Sequence, residues 1–185
     1  MKTFSAISKL LLTAAIAFAL LPTTGWAATD RAALERDARS ALQQLTGSVP
    51  AANSLSGSAA AVLVFPKVTK AGLGVGGQSG DGVLFKQGKV AGYYNTSGAS
   101  VGLQAGVQTF SYAMFMMNDK AVSALSANEG FEVGVGPSVV VMDEGKAKTM
   151  TTTTAKDDIY AFIFGQKGLM AGLGVQGNKI TRLKD

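Results

Sequence analysis

Ala71-Gly72-Leu73-Gly74-Val75-Gly76-Gly77 returns almost letter for letter as Ala171-Gly172-Leu173-Gly174-Val175-Gln176-Gly177. Glycine occupies every second position, with Leu and Val between. On a pleated strand successive side chains point to opposite faces, so this spacing predicts a strand with one aliphatic face and one nearly bare face. Glycine in a strand costs entropy and packs nothing, so Gly72, Gly74, Gly76, Gly172 and Gly174 are read as structural. They serve a close backbone approach or a sharp bend. The alternation recurs in Val101-Gly102-Leu103-Gln104-Ala105-Gly106-Val107 and in Val133-Gly134-Val135-Gly136. Four such segments predict one strongly curved antiparallel sheet.

The chain opens with Lys2 and Lys9, an apolar run from Leu10 to Leu21, and the small residues of Gly25-Trp26-Ala27. This is the pattern of a Sec signal peptide over residues 1–27, cut after Ala27. The run is short for a bilayer span, which takes roughly 20 residues. With no cysteine there is no acylated lipoprotein anchor and no disulfide. The expectation is an exported, periplasmic or secreted protein that is not a lipoprotein. Cleavage removes two lysines and no acid, leaving 15 basic against 12 acidic side chains, a net +3 where the whole chain carries +5. So mild a charge does not point to nucleic acid. The 158 residues left of 185 suit one globular unit, a helical segment over 28–58 joined to a β-rich domain over 59–185.

Leu34, Ala38, Ala41, Leu42 and Leu45 recur at helical spacing behind Thr29 or Asp30 as cap, with Gly47 and Pro50 closing the helix. A second short helix or loop covers Ala51 to Ser58. Val62 to Phe65 reads as a strand stopped by Pro66, and Val83 to Lys86 with Val90 to Tyr94 as a hairpin. Asn95 to Gly98 reads as a loop, Thr109 to Met117 as a strand, and Lys120 to Leu125 as a helix capped by Asn118 or Asp119. Two further hairpins are expected, one turning at Asp143-Glu144-Gly145 and one at Gly165 to Gly168. The sum is an α+β fold of eight or nine strands, a twisted, largely closed antiparallel sheet covered by two or three short helices.

Val64-Phe65-Pro66-Lys67-Val68-Thr69-Lys70-Ala71-Gly72, the Gly98 to Gln108 run, Gly134-Val135-Gly136-Pro137 and the closing Ile159-Tyr160 through Gly168 to Gly172 together resemble the SYLF domain family, also called the Ysc-type actin-regulator domain. The resemblance covers roughly Ala51 to Arg182. It implies phospholipid binding, with an N-terminal amphipathic helix contributing. Actin binding belongs to eukaryotic members and is not expected for an exported chain.

Enzyme motifs match in spelling only. Gly98-Ala99-Ser100-Val101-Gly102 spells GxSxG, but the chain has no histidine to serve as base and no helical pattern after Ser100. Gly72, Gly74 and Gly77 spell GxGxxG without the helix that receives a pyrophosphate. Asp157 and Asp158 are adjacent, so in extended chain they point apart and not at one ion. No enzyme, cofactor or metal is expected. The function expected is phospholipid binding in the cell envelope, with a structural or protein-interaction module as the alternative. Lys67 and Lys70 before the first glycine strand, and Lys86 and Lys89 around a turn, are the candidate lipid-binding residues, since a lysine near an anionic bilayer contributes about 1 kcal/mol.

Overall fold

A computed structural model describes residues 31–126, 130–150, 155–165, 168–169 and 177–184. The leader, the Thr29 or Asp30 cap, and Gly172 and Gly174 lie outside them. Helices α1 (Arg31–Ser48) and α2 (Pro50–Ser58) come first, then strands β1 (Ala61–Lys86) and β2 (Lys89–Met116). After these come α3 (Asp119–Ala124), β3 (Phe131–Glu132), β4 (Val139–Met142), α4 (Glu144–Thr149), β5 (Ile159–Gly165), β6 (Gly168–Leu169) and β7 (Lys179–Arg182).

Helix α1 forms because Leu34, Ala38, Ala41 and Leu45 make one buried stripe, each three or four residues after the last. Pro50 then opens α2, where a missing N–H costs nothing. Strands β1 and β2 are one long antiparallel hairpin, paired from Ala61↔Met116 to Lys86↔Lys89. Gln87 (φ 50°) and Gly88 (φ 74°) are both left-handed, the two-residue turn whose twist matches the flanking strands. Pro66, expected to stop β1, is instead absorbed in a bulge between Phe65 and Val68, where its absent N–H breaks no ladder bond. Its carbonyl accepts from Ser111 Oγ at 2.8 Å. Residues 95–98 likewise continue β2, because β1 pairs them on one side and β7 pairs 95–97 on the other.

The hairpin bends in the middle. Leu73 pairs Ala105 and Val75 pairs Val101, so one residue of β1 faces three of β2 and the shorter strand takes the inside of the corner. Beyond it the two arms of β1 meet. A Cβ on Gly72 would lie 2.6 Å from the Gly76 Cα, and one on Gly80 would lie 2.5 Å from the Lys67 carbonyl oxygen. A Cβ on Gly82 would run into the Phe65 ring. The approaching backbone is the strand's own.

Outside β2 the sheet runs β3-β7-β2-β5-β4, with β6 on β5. Strand β4 is parallel to β5, so the sheet is mixed, and it is open where a largely closed antiparallel one was expected. The physical reason is at the glycine contacts: the arms of β1 touch there, while β1 has ladder pairing with β2 alone among the described residues. The expected hairpin at Asp143-Glu144-Gly145 is helix α4 instead. Asp143 Oδ1 accepts from Lys146 N at 2.8 Å, which makes it an N-cap. Val133-Gly134-Val135-Gly136 is a turn and not a strand, with Gly134 at φ 102° and Gly136 at φ 95°.

Alternation along the strands feeds two apolar clusters. Leu63, Phe65, Tyr112, Met114, Ile163 and Ile180 fill one, closed at its end by Ala121 and Leu125 of the α3 region. Val62, Val64, Phe85, Phe115 and Phe162 form the other, beneath α1 and α2. Phe65 stacks on Tyr112 at 5.6 Å, and Phe115 meets Phe162 edge on at 5.3 Å. The methionines Met114 and Met116 are fully buried, as core packing requires.

Asp158 ties α3 to β5. Its carboxylate accepts from Asn118 Nδ2 at 2.8 Å and Ser138 N at 2.9 Å, with Lys120 Nζ at 3.3 Å. Asn118 Oδ1 in turn caps α3 through Ala121 N at 2.9 Å. The Asn118 hydrogen bond, then that from Ser138, hold the Asp158 carboxyl down to about 2. A depressed carboxyl stabilises the fold above its unfolded value and stops doing so as pH falls through the folded one. Stability should therefore drop between about pH 4 and pH 2, and Asp158→Asn should flatten that part of a melting-temperature profile.

Candidate functional site

The four candidate lysines fall into two places. Lys86 and Lys89 are exposed and face each other across the hairpin turn. Lys67 is exposed at the Pro66 bulge and Lys70 is half-buried, one residue before Ala71 pairs with Val107. With strands rising about 3.3 Å per residue, the second arm of β1 sets the pairs on the order of 25 Å apart. They are two surfaces, not one.

At the turn end, α1 lies across the hairpin. Arg39 Nη1 donates to the Gly88 carbonyl at 3.2 Å, and its guanidinium sits 4.8 Å from the Phe85 ring centroid. Arg31 stands 4.6 Å from the Tyr93 ring centroid, and the Tyr93 hydroxyl donates to Glu35 Oε1. Beside Arg39 is an open groove of about 310 Å³, with Leu42, Val62 and Phe85 as its apolar lining. Its chemistry suits a small amphiphile. The side chains of α1 outside its buried stripe mix both signs, with Glu35 next to Arg31 and Arg39 at four-residue spacing and Asp37 on the opposite flank.

At the corner end, the large apolar residues that face solvent among the described residues collect. Val75 is 72% exposed, Val107 74% and Val135 61%. The Val135 turn is held to this end by Asn178: Val133 N donates to the Asn178 carbonyl at 2.9 Å, and Asn178 Oδ1 accepts from Gln78 Nε2 at 2.8 Å. Gly98 leaves room for that Asn178 side chain. The sequence carried the glycine spacing that builds the corner but nothing to say that Val75 and Val107 would be left uncovered.

The enzyme spellings sit on strands. Ser100 lies inside β2, and Gly72, Gly74 and Gly77 lie inside β1, so neither motif opens a helix. No three His, Cys, Asp or Glu side chains cluster to hold a metal among the described residues. No described helix is long and apolar enough to cross a membrane.

Residues 97–185 match the Ysc84 family, described as a Las17-binding protein actin regulator, so this part of the chain is a SYLF/Ysc84-like domain. The match begins inside β2 and leaves α1, α2 and β1 outside it, a narrower span than the resemblance from Ala51. It also overturns the expectation that actin is no partner, since the matched family is itself named for actin regulation. No curated protein matches the chain.

Proposed function

We propose that this chain is a non-enzymatic phospholipid-binding protein of the cell envelope, exported on its leader, which meets anionic bilayers through Lys67 and Lys70. SYLF-type domains are generally associated with lipid binding, which supports the ligand class. One observation carries the choice of surface. Lys67 and Lys70 are the only charged residues in the stretches 61–80 and 96–118, the two strands that lead into the corner. Lysines without a carboxylate in those two stretches favour approach to an anionic membrane, with Asp81, the next residue of β1, as the nearest opposing charge on that strand. Lys86 and Lys89, beside the mixed charges of α1, contribute less.

Sedimentation with phosphatidylglycerol and with phosphatidylcholine vesicles tests this. Binding should require the anionic lipid and weaken as salt shortens the screening length from ~10 Å at 0.1 M to ~3 Å at 1 M. Lys67→Gln with Lys70→Gln should cost about 1 kcal/mol per lysine, and the same change at Lys86 and Lys89 distinctly less. Equal binding to both lipids, unmoved by salt, would defeat the electrostatic contact. Export is checked by the N-terminus of the secreted protein, expected at Ala28. A second reading, a protein-interaction module, draws on the actin-regulator description of the matched family; cosedimentation with actin filaments in the absence of lipid would favour it.

A further inference from the structure

We infer that the folded corner of the β1–β2 hairpin is a membrane-inserting tip, in which Val75 and Val107 enter the headgroup and upper acyl region of an anionic bilayer while Lys70 and Lys67 remain at the phosphates. The inference rests on the lipid-binding reading and says how the membrane is held: by peripheral insertion of an aliphatic corner.

Four observations converge on it. Val75 and Val107, 72% and 74% exposed, stand on the two strands of the same corner, and Val135 at 61% is drawn to that end through Asn178. Among the described residues no other large apolar side chain is exposed, others being buried or half-buried, so exposure is concentrated here and not scattered. On β1 the residues around the valines are Ala71, Gly72, Gly76 and Gly77, which bring no polar side chain to be desolvated, while on β2 Gln108 follows Val107 and Ser100 precedes Val101. The ladder reaches the corner from both sides, with Gly72↔Gly106 and Leu73↔Ala105 before the register shift and Val75↔Val101 and Gly76↔Ser100 after it. The backbone at Val75 and Val107 is thus in paired strand, as entry into an apolar layer favours, and the break in pairing is confined to Gly74 and residues 102–104.

Geometry sets the depth. Lys70 lies five positions behind Val75, at most about 16 Å along an extended strand and less around a bend. Interfacial apolar faces sink roughly 5–10 Å, which would leave the Lys70 ammonium among the headgroups. The charge near the tip agrees in sign: Lys67 and Lys70 are the charged residues of β1 before the corner, Asp81 follows six positions after Val75, and Glu132, at the foot of the Val135 turn, stands across from Lys179 in the strand register. A lipid surface is favoured over a second copy of this chain, because two such corners would bring Lys67 and Lys70 of one copy toward those of the other, with Asp81 farther along the second arm of β1 as the carboxylate on these strands.

The chain has no cysteine, so single nitroxide labels can be placed without background. In the natural mature protein, labels at Val75→Cys and Val107→Cys should gain oxygen contact and lose nickel-chelate contact on adding phosphatidylglycerol vesicles, while a label at Gln87→Cys stays aqueous. Independently, Val75→Asp with Val107→Asp should weaken vesicle binding roughly tenfold or more, with an unchanged melting temperature because both sites are exposed. If vesicles bind while labels 75 and 107 remain in water, the insertion fails and the lipid-binding reading stands. If no vesicle binds, both fail together. Labels immobilised without lipid, in a protein of dimer mass, would give the corner to a second copy and overturn the inference.

Discussion

Gly76→Ala should destabilise the protein by about 3 kcal/mol or more, the upper end of what overpacking costs, and a large drop in urea midpoint or melting temperature would register it. A methyl there is driven into the backbone of Ala71 and the Gly72 Cα, and backbone cannot rotate aside as a side chain does. Gly77→Ala is the control one residue on. Its methyl would have the Gly98 carbonyl as nearest neighbour at 3.8 Å, an ordinary contact, so stability should change little. If the two variants melt alike, the arms of β1 do not meet as described.

Leu45→Ala should cost about 2–5 kcal/mol, the usual range for emptying a sealed core site. Leu45 is wholly buried and belongs to the cluster that holds α1 on the sheet with Phe115, Phe162 and Leu55. Its loss should also loosen the Arg39 contact to Gly88, so amide exchange at the hairpin turn should speed up alongside the fall in stability. An unchanged melting temperature would mean that α1 contributes nothing to the core.

Local chemistry was legible where one residue decides it. The α1 stripe, the Asn118 cap and the turn at Gln87-Gly88 follow from spacing and side-chain type. Glycine alternation spoke of a bent or closely approached strand, yet could not say that the approaching chain would be β1 itself, because that depends on the register shift at Leu73 and Val75. Pro66 and residues 95–98 were misread for a common reason. Each has the local chemistry of a stop or a loop, and each is overruled by strands on its flanks, a tertiary effect. The turn at Asp143 erred the other way, since an Asp that starts a hairpin turn is equally an Asp that caps a helix. Of the candidate site, the lysines were visible as letters, while their division between two ends of the hairpin is set by the corner. Exposure of Val75 and Val107 has no signature in a sequence whose buried valines look the same.

The tight turn at Gln87-Gly88 also bears on how the chain finds this shape. Loop-closure entropy grows only slowly with length once a shorter loop inside has closed, so a hairpin anchored at Lys86 and Lys89 can zip outward one pair at a time. Ala61 and Met116 are distant in sequence but never have to meet by diffusion of a free chain; each earlier pair brings them nearer. The self-contact of β1 at Gly72 and Gly76 spans only four residues and is just as local. A fold whose finished topology is long-ranged is thereby assembled from short searches, and the slow step passes to the docking of β5 and β7, which arrive from far along the chain without a turn to guide them.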